Sequence, residues 1–154
     1  MANLSSELKM KLFENNRYSI FDDILNNEER KYMLKHGEVY NADSGTVLCH
    51  QDRISNDLFF ILQGGVKITK KSDEKEIELG FLSVGDIFGE ISALLSAPRI
   101  ATVAANKPSL ILEMKKDDFI NLLEFAPNLK QLVYKQLSKR NLQTSIQTQQ
   151  ASYN

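Results

Sequence analysis

The spacing of apolar residues predicts helices in the first part of the chain. From Leu4 to Phe13 the apolar positions recur at helical intervals, which is typical of a short amphipathic helix. Farther on, Asn26 followed by Glu29 resembles a capping box, and Gly37 suits the end of the helix that this box would open. We therefore expect residues 1–36 to form an N-terminal helical segment.

The pattern then changes to that of short strands. The apolar run from Leu58 to Leu62 is continuous, as expected of a strand that is buried on both faces. Val66 and Ile68 alternate with polar residues, and so do Ile77 and Leu79 after a polar turn, which predicts a hairpin. Further strands are predicted at residues 38–40, 46–50 and 110–114. Because at least six short strands are separated by frequent turns, residues 37–115 are predicted to form a compact antiparallel β-roll or jelly roll.

Helical spacing returns after the strands. Asp117 or Asp118 can cap one helix, and Pro127 fits the first turn of the next. This last helix carries one apolar stripe, formed by Leu129, Leu132, Val133 and Leu137. The stripe suits either a dimer surface or packing on the chain's own roll. We expect helices over residues 116–143 and, because residues 144–154 are rich in Gln, Thr and Ser, a disordered tail.

Composition narrows the class of protein. With 154 residues, 42% of them hydrophobic, the chain suits one globular domain with a core of its own. The net charge is -1 and the sequence has no basic block, so nothing in it indicates a nucleic-acid-binding surface. The single cysteine, Cys49, excludes an internal disulfide and is expected to be a plain buried thiol in a reducing compartment. No apolar run reaches the ~18 residues of a membrane span, so we expect a cytoplasmic protein without membrane contact.

Candidate chemistry is concentrated between residues 88 and 105. Gly89 allows a tight turn, the run from Glu90 to Leu95 favours a short helix, and Pro98 ends that helix. A glycine turn at the start of a helix exposes backbone N–H groups, which suit an anion such as phosphate. Arg99 follows at once and can hold the same anion in a bidentate fork.

Glu90 does not fit a bare phosphate site, because a carboxylate repels a phosphate. It fits if it accepts a hydrogen bond from a neutral hydroxyl of the same ligand. A ligand that carries both a phosphate and a nearby hydroxyl is a nucleotide. The competing interpretations are structural: Glu90 would stabilise the helix dipole, and Arg99 would be a surface arginine or a partner of Glu90.

A family resemblance begins with the order Phe-Gly-Glu, an apolar helix and then Pro-Arg-x-Ala-Thr-Val. From Phe88 to Val103 this order resembles the phosphate-binding cassette of cyclic-nucleotide-binding domains, without a gap, and weaker similarity runs from about Phe21 to Leu142. The resemblance implies a mainly β fold with flanking helices, in which an eight-stranded, antiparallel, double-stranded β-roll resembles a jelly roll. It also implies N-terminal helices, a cassette at residues 88–105 with a short helix, and two C-terminal helices.

The resemblance also implies roles for individual residues. Arg99 would contact the cyclic phosphate, and Glu90, beside Gly89, would accept a hydrogen bond from the ribose 2′-hydroxyl. Backbone N–H groups would help to bind the phosphate at Ile91, Ser92, Ile100 and Ala101.

Three further residues are candidates for the rest of the pocket. Ile68 and Leu79 align with apolar walls of the family's pocket, although ordinary inward-facing strand residues would have the same pattern. Tyr134 is a candidate lid, because it is the only aromatic residue on the predicted last helix.

Two segments depart from the family pattern. Ile100 stands where many relatives have Ala, Ser or Thr, and it offers no hydroxyl to a phosphate or to guanine. This difference favours cAMP over cGMP as the ligand. Asp52-Arg53-Ile54-Ser55 stands where relatives usually carry Gly-Asp-x-Gly, and it is expected to alter a loop outside the cassette.

The sequence therefore predicts a cyclic-nucleotide sensor, with no catalysis, cofactor or metal, whose C-terminal helix moves when the ligand binds. Since no residue follows Asn154, the signal is expected to pass to an effector protein, to a homodimer formed through that helix, or to missing chain. One alternative is a β-roll interaction module that has lost nucleotide binding. Another is a cupin-type metal enzyme, for which His36 and His50 are too few histidines.

Overall fold

The computed structural model of the chain describes residues 2–3, 5, 7–8 and 24–138. Glu7 and Leu8 are helical, but most of the helix predicted from Leu4 to Phe13 lies outside the described residues. The tail predicted over residues 144–154 and the end of the last helix also lie outside them.

The described elements alternate between short strands and helices. The strands are β1 (Ala2–Asn3), β2 (Glu38–Ala42), β3 (Val47–Cys49), β4 (Asp57–Gln63), β5 (Gly65–Ser72), β6 (Lys75–Ser83), β7 (Ile87–Phe88), β8 (Thr102–Ala105) and β9 (Ser109–Lys115). The helices are α1 (Asn27–His36), α2 (Glu90–Leu95), α3 (Lys116–Phe125) and α4 (127–138), which reaches the end of the described residues.

The strands form two antiparallel sheets. One has five strands in the order β1-β2-β9-β4-β7, and the other has four in the order β3-β8-β5-β6. The eight strands implied by the family resemblance are present as β2 to β9, and the two-residue β1 pairs with β2. The predicted antiparallel β-roll with flanking helices is therefore confirmed.

Strand β4 separates two hydrophobic clusters. Leu58, Phe60 and Leu62 belong to a cluster that they share with the helices. Phe59 and Ile61 belong to a second cluster, which contains residues of both sheets. All five side chains are buried, so the continuous apolar run does mark a strand that is covered on both faces.

The predicted hairpin joins β5 to β6. Its strands pair from Gly65 opposite Ser83 to Ser72 opposite Lys75, which makes them longer than the alternation alone predicts. Asp73 and Glu74 close the turn with φ values of 52° and 67°. Both central residues thus have positive φ, as a tight two-residue hairpin turn requires.

The predicted helix ends are confirmed in part. Asn26 and Glu29 form the capping box of α1, and Gly37 is its C-cap. The prediction that Asp117 or Asp118 caps α3 is wrong, because α3 begins earlier, with Lys115 as its N-cap. Both aspartates instead lie in the first turn of α3, where their charge is favourable to the helix dipole.

Helix α4 begins at Pro127, as predicted, and its apolar stripe packs inside the chain. Leu129 and Val133 are buried in the cluster shared by the helices and β4, and Leu132 and Leu137 pack against it. The structure thus shows the stripe packed on the chain's own roll. Its alternative role as a dimer surface stays a prediction. None of the helices in the described ranges is long and apolar enough to cross a bilayer.

We expect Phe60→Ala to destabilise the fold strongly. The Phe60 side chain is fully buried and packs edge to face on Phe119, with 5.9 Å between ring centroids. Its removal should lower the free energy of unfolding by about 3–5 kcal/mol, measured by urea denaturation.

Phe81→Ala is the matched control, because the Phe81 side chain is 57% exposed. It should change the free energy of unfolding by about 0.5 kcal/mol or less, as is usual for surface substitutions. Equal losses in both variants would contradict this description of the core.

Candidate functional site

A pocket of about 250 Å³ opens beside residues 88–105. Eight of the predicted site residues line it, namely Ile68, Leu79, Gly89, Glu90, Ile91, Arg99, Ile100 and Ala101. The other lining residues are mostly apolar and come from β3, β6, β7 and β8. The two predicted site residues that do not line it are Ser92 and Tyr134.

The residues before and after α2 set the shape of the pocket's polar side. Gly89 precedes α2 with a φ of 81°, a left-handed conformation that glycine adopts without steric cost. Ser96 ends α2 with a φ of 51°. The predicted glycine turn and the predicted helix from Glu90 to Leu95 are both confirmed.

Arg99 lies behind this turn and is only 4% exposed. Its Nη1 donates to the carbonyl oxygen of Gly89 and to Oγ of Ser92, each at 2.7 Å. Its Nη2 donates to the carbonyl oxygen of Asp57 at 2.6 Å and to Oδ1 of Asp57 at 2.8 Å. These bonds engage all the terminal N–H groups, so the interpretation of Arg99 as a surface arginine is wrong.

Asp57, the ion-pair partner of Arg99, was not predicted from the sequence. The two residues are separated by 42 positions, and the only signal is a carboxylate directly before the apolar run of β4. Burial raises the pKa of Asp57, but the hydrogen bond with Ser55, the neighbouring Glu113 and the charge of Arg99 lower it more. The net pKa lies below the ordinary value, and Asp57 is an anion beside Arg99 at neutral pH.

Glu90 is the second charged residue of the pocket. It is the first residue of α2, is 2% exposed and lines the same pocket as Arg99. The pocket thus offers a guanidinium for an anion, a carboxylate that can accept from a hydroxyl, and apolar walls for a flat ring. Glu90 also lies in the first turn of α2, so the helix-dipole interpretation applies to it as well.

Ser92 supports the pocket from behind, and Cys49 lines it. The hydroxyl of Ser92 accepts a hydrogen bond from Arg99 and donates one to the carbonyl oxygen of Gly89 at 3.3 Å. The side chain of Ser92, and not only its backbone, therefore helps to hold Arg99 in place. Cys49 is buried, as predicted, and its burial raises the pKa of the thiol to about 12. Within the described ranges, no group of three or more His, Cys, Asp or Glu residues could hold a metal ion.

A family model described as "Cyclic nucleotide-binding domain" matches residues 40–124, which is more than half of the chain. The chain belongs to the cyclic nucleotide-binding domain family. The matched residues include both sheets, apart from β1 and the start of β2, and the whole cassette at residues 88–105.

Individual relatives agree with this assignment. The chain is 28% identical over 125 residues to the cAMP-activated global transcriptional regulator CRP of Pasteurella multocida, which covers 80% of this chain and 60% of that one. It is 29% identical over 97 residues to a cyclic nucleotide-gated potassium channel of Rhizobium etli, covering 63% and 26% of the two chains. A cyclic nucleotide-binding domain from Methylobacillus flagellatus has the same fold, with a TM-score of 0.70 at 21% identity, covering 90% and 84%. The chain therefore spans 60% or less of the length of these two curated relatives.

The predicted walls of this cyclic nucleotide-binding domain differ in exposure. Ile68 packs against the cluster between the sheets and also lines the pocket, so both interpretations of it hold. Leu79 and Ile100 are 39% and 61% exposed and lie at the rim. Ala101 is buried.

Tyr134 is not brought to the pocket, so the structure does not support its prediction as a lid. Its neighbour Val133 is buried against the roll, whereas Tyr134 is 58% exposed. Adjacent positions on a helix point in different directions, and Tyr134 instead has Lys130 Nζ at 6.0 Å from its ring centre. No aromatic residue of α4 lines the pocket within the described residues.

The loop that departs from the family pattern contacts the cassette directly. The N–H of Asp52 donates to the carbonyl oxygen of Arg99, and the N–H of Arg99 donates to the carbonyl oxygen of Arg53, each at 2.8 Å. Asp52 has a φ of 70° at a position where relatives usually carry glycine. Aspartate tolerates this conformation better than most residues, so Asp52 can occupy such a turn position without the glycine.

We expect Gly89→Ala to disturb Arg99. A Cβ at Gly89 would lie 2.7 Å from Nη1 of Arg99, and the φ of 81° would strain any side chain. The variant should lower the melting temperature by several degrees and move the guanidinium, which differential scanning calorimetry and NMR of the arginine side chains would detect.

Gly45→Ala is the control for the backbone strain alone. Gly45 has a φ of 94°, but a Cβ there would meet no atom within 4 Å. If Gly45→Ala lowers the melting temperature as much as Gly89→Ala does, the close approach to Arg99 does not matter.

Proposed function

We propose that the chain is a cytoplasmic cyclic-nucleotide sensor that binds cAMP in this pocket and carries out no catalysis. The observation that carries the proposal is that Glu90 and Arg99, 2% and 4% exposed, line one pocket of about 250 Å³. A buried carboxylate and a buried guanidinium in one apolar pocket match the hydroxyl and the phosphate of a nucleotide.

In the proposed complex, Arg99 binds the cyclic phosphate and Glu90 accepts a hydrogen bond from the ribose 2′-hydroxyl. Ile91, Ile100 and Ala101 line the pocket, and their backbone N–H groups would donate hydrogen bonds to the phosphate. The base would extend over the apolar walls of β5 and β6. Because Asp57 already occupies two donors of Arg99, the phosphate would have to compete with a carboxylate.

Two observations support cAMP as the ligand. The transcriptional regulator from Pasteurella multocida is described as cAMP-activated. Ile100, at the rim of the pocket, has no hydroxyl, whereas the family resemblance associates a threonine there with guanine. Both observations favour adenine over guanine in the proposed complex.

The proposed signal passes from the cassette to the C-terminal helices through a shared core. Ala93 of α2, Phe119 of α3 and Val133 of α4 belong to one buried cluster. A change in the cassette would therefore alter the packing of α3 and α4, provided that ligand affinity differs between the two arrangements. The receiver would be an effector protein or a second copy of the chain.

The alternative function is an interaction module without nucleotide binding. It is favoured by the ion pair between Arg99 and Asp57, which already neutralises the arginine. Isothermal titration of the purified chain with cAMP, cGMP and 5′-AMP discriminates the two functions. Binding of cAMP in preference to the other two supports the sensor, whereas no binding up to about 1 mM cAMP, a free energy of about −4 kcal/mol, overturns it.

We expect Arg99→Ala to weaken cAMP binding by roughly 30-fold to several thousand-fold. The loss of a buried charge pair is worth about 2–5 kcal/mol, and about 1.4 kcal/mol is tenfold in affinity. Arg99→Lys keeps the positive charge but loses the bidentate geometry of the guanidinium. Its affinity for cAMP should fall between those of the wild type and Arg99→Ala. Titration calorimetry measures all three proteins, after circular dichroism has shown that they are folded.

Arg53→Ala is the matched control for this series. It removes an exposed arginine from the neighbouring loop and keeps the backbone carbonyl that binds Arg99. It should change the affinity for cAMP by about threefold or less. A loss below threefold for Arg99→Ala itself would remove Arg99 from the site.

We expect the role of Glu90 to show in a comparison of two ligands. The wild type should lose roughly tenfold to a hundredfold in affinity when 2′-deoxy-cAMP replaces cAMP, since a hydrogen bond to a charged group contributes about 1.5–3 kcal/mol. Glu90→Ala should bind the two ligands almost equally. Losses of the same size in both proteins would exclude Glu90 as the partner of the 2′-hydroxyl, whatever the variant does to overall affinity.

A further inference from the structure

The ion pair of Arg99 continues to a second carboxyl on the neighbouring strand. Asp57 begins β4, where it pairs with Lys115 of β9, and Phe59 pairs with Glu113. Asp57 and Glu113 are therefore diagonal neighbours on one face of the five-stranded sheet. Each carboxyl shifts the pKa of the other.

Two neighbouring carboxylates repel each other, so a proton on one of them is favoured. Burial raises the pKa of Glu113, and the adjacent carboxyl of Asp57 raises it further. The pKa of Asp57 is shifted downward instead. Asp57 Oδ1 lies 2.8 Å from Arg99 Nη2 and stays ionised beside this cation, so Glu113 is the member of the pair that takes up the proton.

The other groups around Glu113 are mixed in charge. Lys115 Nζ lies 3.5 Å from Glu113 Oε1 and favours the ionised form. Glu38 of β2 lies directly opposite Glu113 in the sheet, and its negative charge disfavours the ionised form of Glu113. The charges of Glu113 and Asp57 also add to the effect of burial in raising the pKa values of Tyr40 and Cys49. One more negative charge nearby would increase the affinity of the pair for a proton.

A nucleotide bound at Arg99 brings that additional negative charge. All the terminal N–H groups of Arg99 are engaged, two of them by Asp57, so the phosphate would share the guanidinium with this carboxylate. We propose that Glu113 tunes nucleotide affinity through Asp57 and Arg99, and that binding is accompanied by uptake of a proton from solvent at the Asp57–Glu113 pair. This inference rests on the proposed function. Glu113 is a positioning residue, which acts through Asp57 and does not touch the ligand.

The sign of the effect follows from linkage. If the complex binds more protons than the free protein, the affinity for nucleotide increases as pH falls through the titration of the pair. The dissociation constant for cAMP should be about threefold or more lower at about pH 5.5 than at about pH 7.5. The cyclic phosphate keeps its single negative charge over this range, so the change comes from the protein.

Proton uptake is measured directly by titration calorimetry of the full chain with cAMP in Pipes and in imidazole at about pH 6. These buffers differ in ionisation enthalpy, so the difference between the observed binding enthalpies gives the number of protons taken up. We expect an uptake of about one third of a proton or more for the wild type.

Glu113→Gln separates this role from a structural one. The amide supplies a permanent N–H donor to Asp57, so the variant should bind cAMP about threefold or more tighter at about pH 7.5, without proton uptake and with a flat pH profile. Asp57→Asn should also abolish the uptake, and it decides the matter if Glu113→Gln does not fold. Glu124→Gln removes an exposed carboxylate of α3 and should keep the wild-type uptake.

The outcomes distinguish the inference from the proposed function. Equal binding enthalpies in the two buffers, or uptake that persists in Glu113→Gln and Asp57→Asn, would overturn the inference while leaving nucleotide binding in place. A wild type that does not bind cAMP or cGMP would overturn both.

Discussion

The buried guanidinium of Arg99 is the interaction on which the arrangement of the pocket depends. A buried cation must be paired and hydrogen-bonded, and Arg99 obtains this from Gly89, Ser92 and Asp57. Those partners lie before α2, within α2 and at the start of β4. The conformation of the cassette is thus coupled to the five-stranded sheet through one side chain, and the loop at Asp52 is coupled to it through the backbone.

The two hydrophobic clusters support different parts of the fold. The cluster between the sheets supports the walls of the pocket, with Cys49 and Val103 both buried in it and lining the pocket. The other cluster joins the outer face of the five-stranded sheet to α1, α2, α3 and α4. Since α2 carries Glu90 and also contributes Ala93 to the cluster shared with the helices, the pocket and the C-terminal helices share packing although none of the described residues of α4 lines the pocket.

Local patterns predicted local structure well, and long-range pairings less so. The run from Leu58 to Leu62 and the capping box at Asn26 are decided by neighbouring residues, and both are confirmed. The cassette could be predicted because its residues are contiguous. Asp57 could not, because its pairing with Arg99 depends on the order of strands in the sheet, and the orientation of Tyr134 depends on which side of α4 is buried.

The buried thiol of Cys49 has a practical consequence. It is the only cysteine of the chain, and a pKa of about 12 leaves almost no thiolate at neutral pH. Maleimide dyes and spin labels react with thiolates, so the native sequence already serves as an unreactive background. A cysteine introduced on the exposed side of α4 would therefore be the only residue labelled. A pair of introduced cysteines, one on α4 and one on the roll, would report the distance between them in solution.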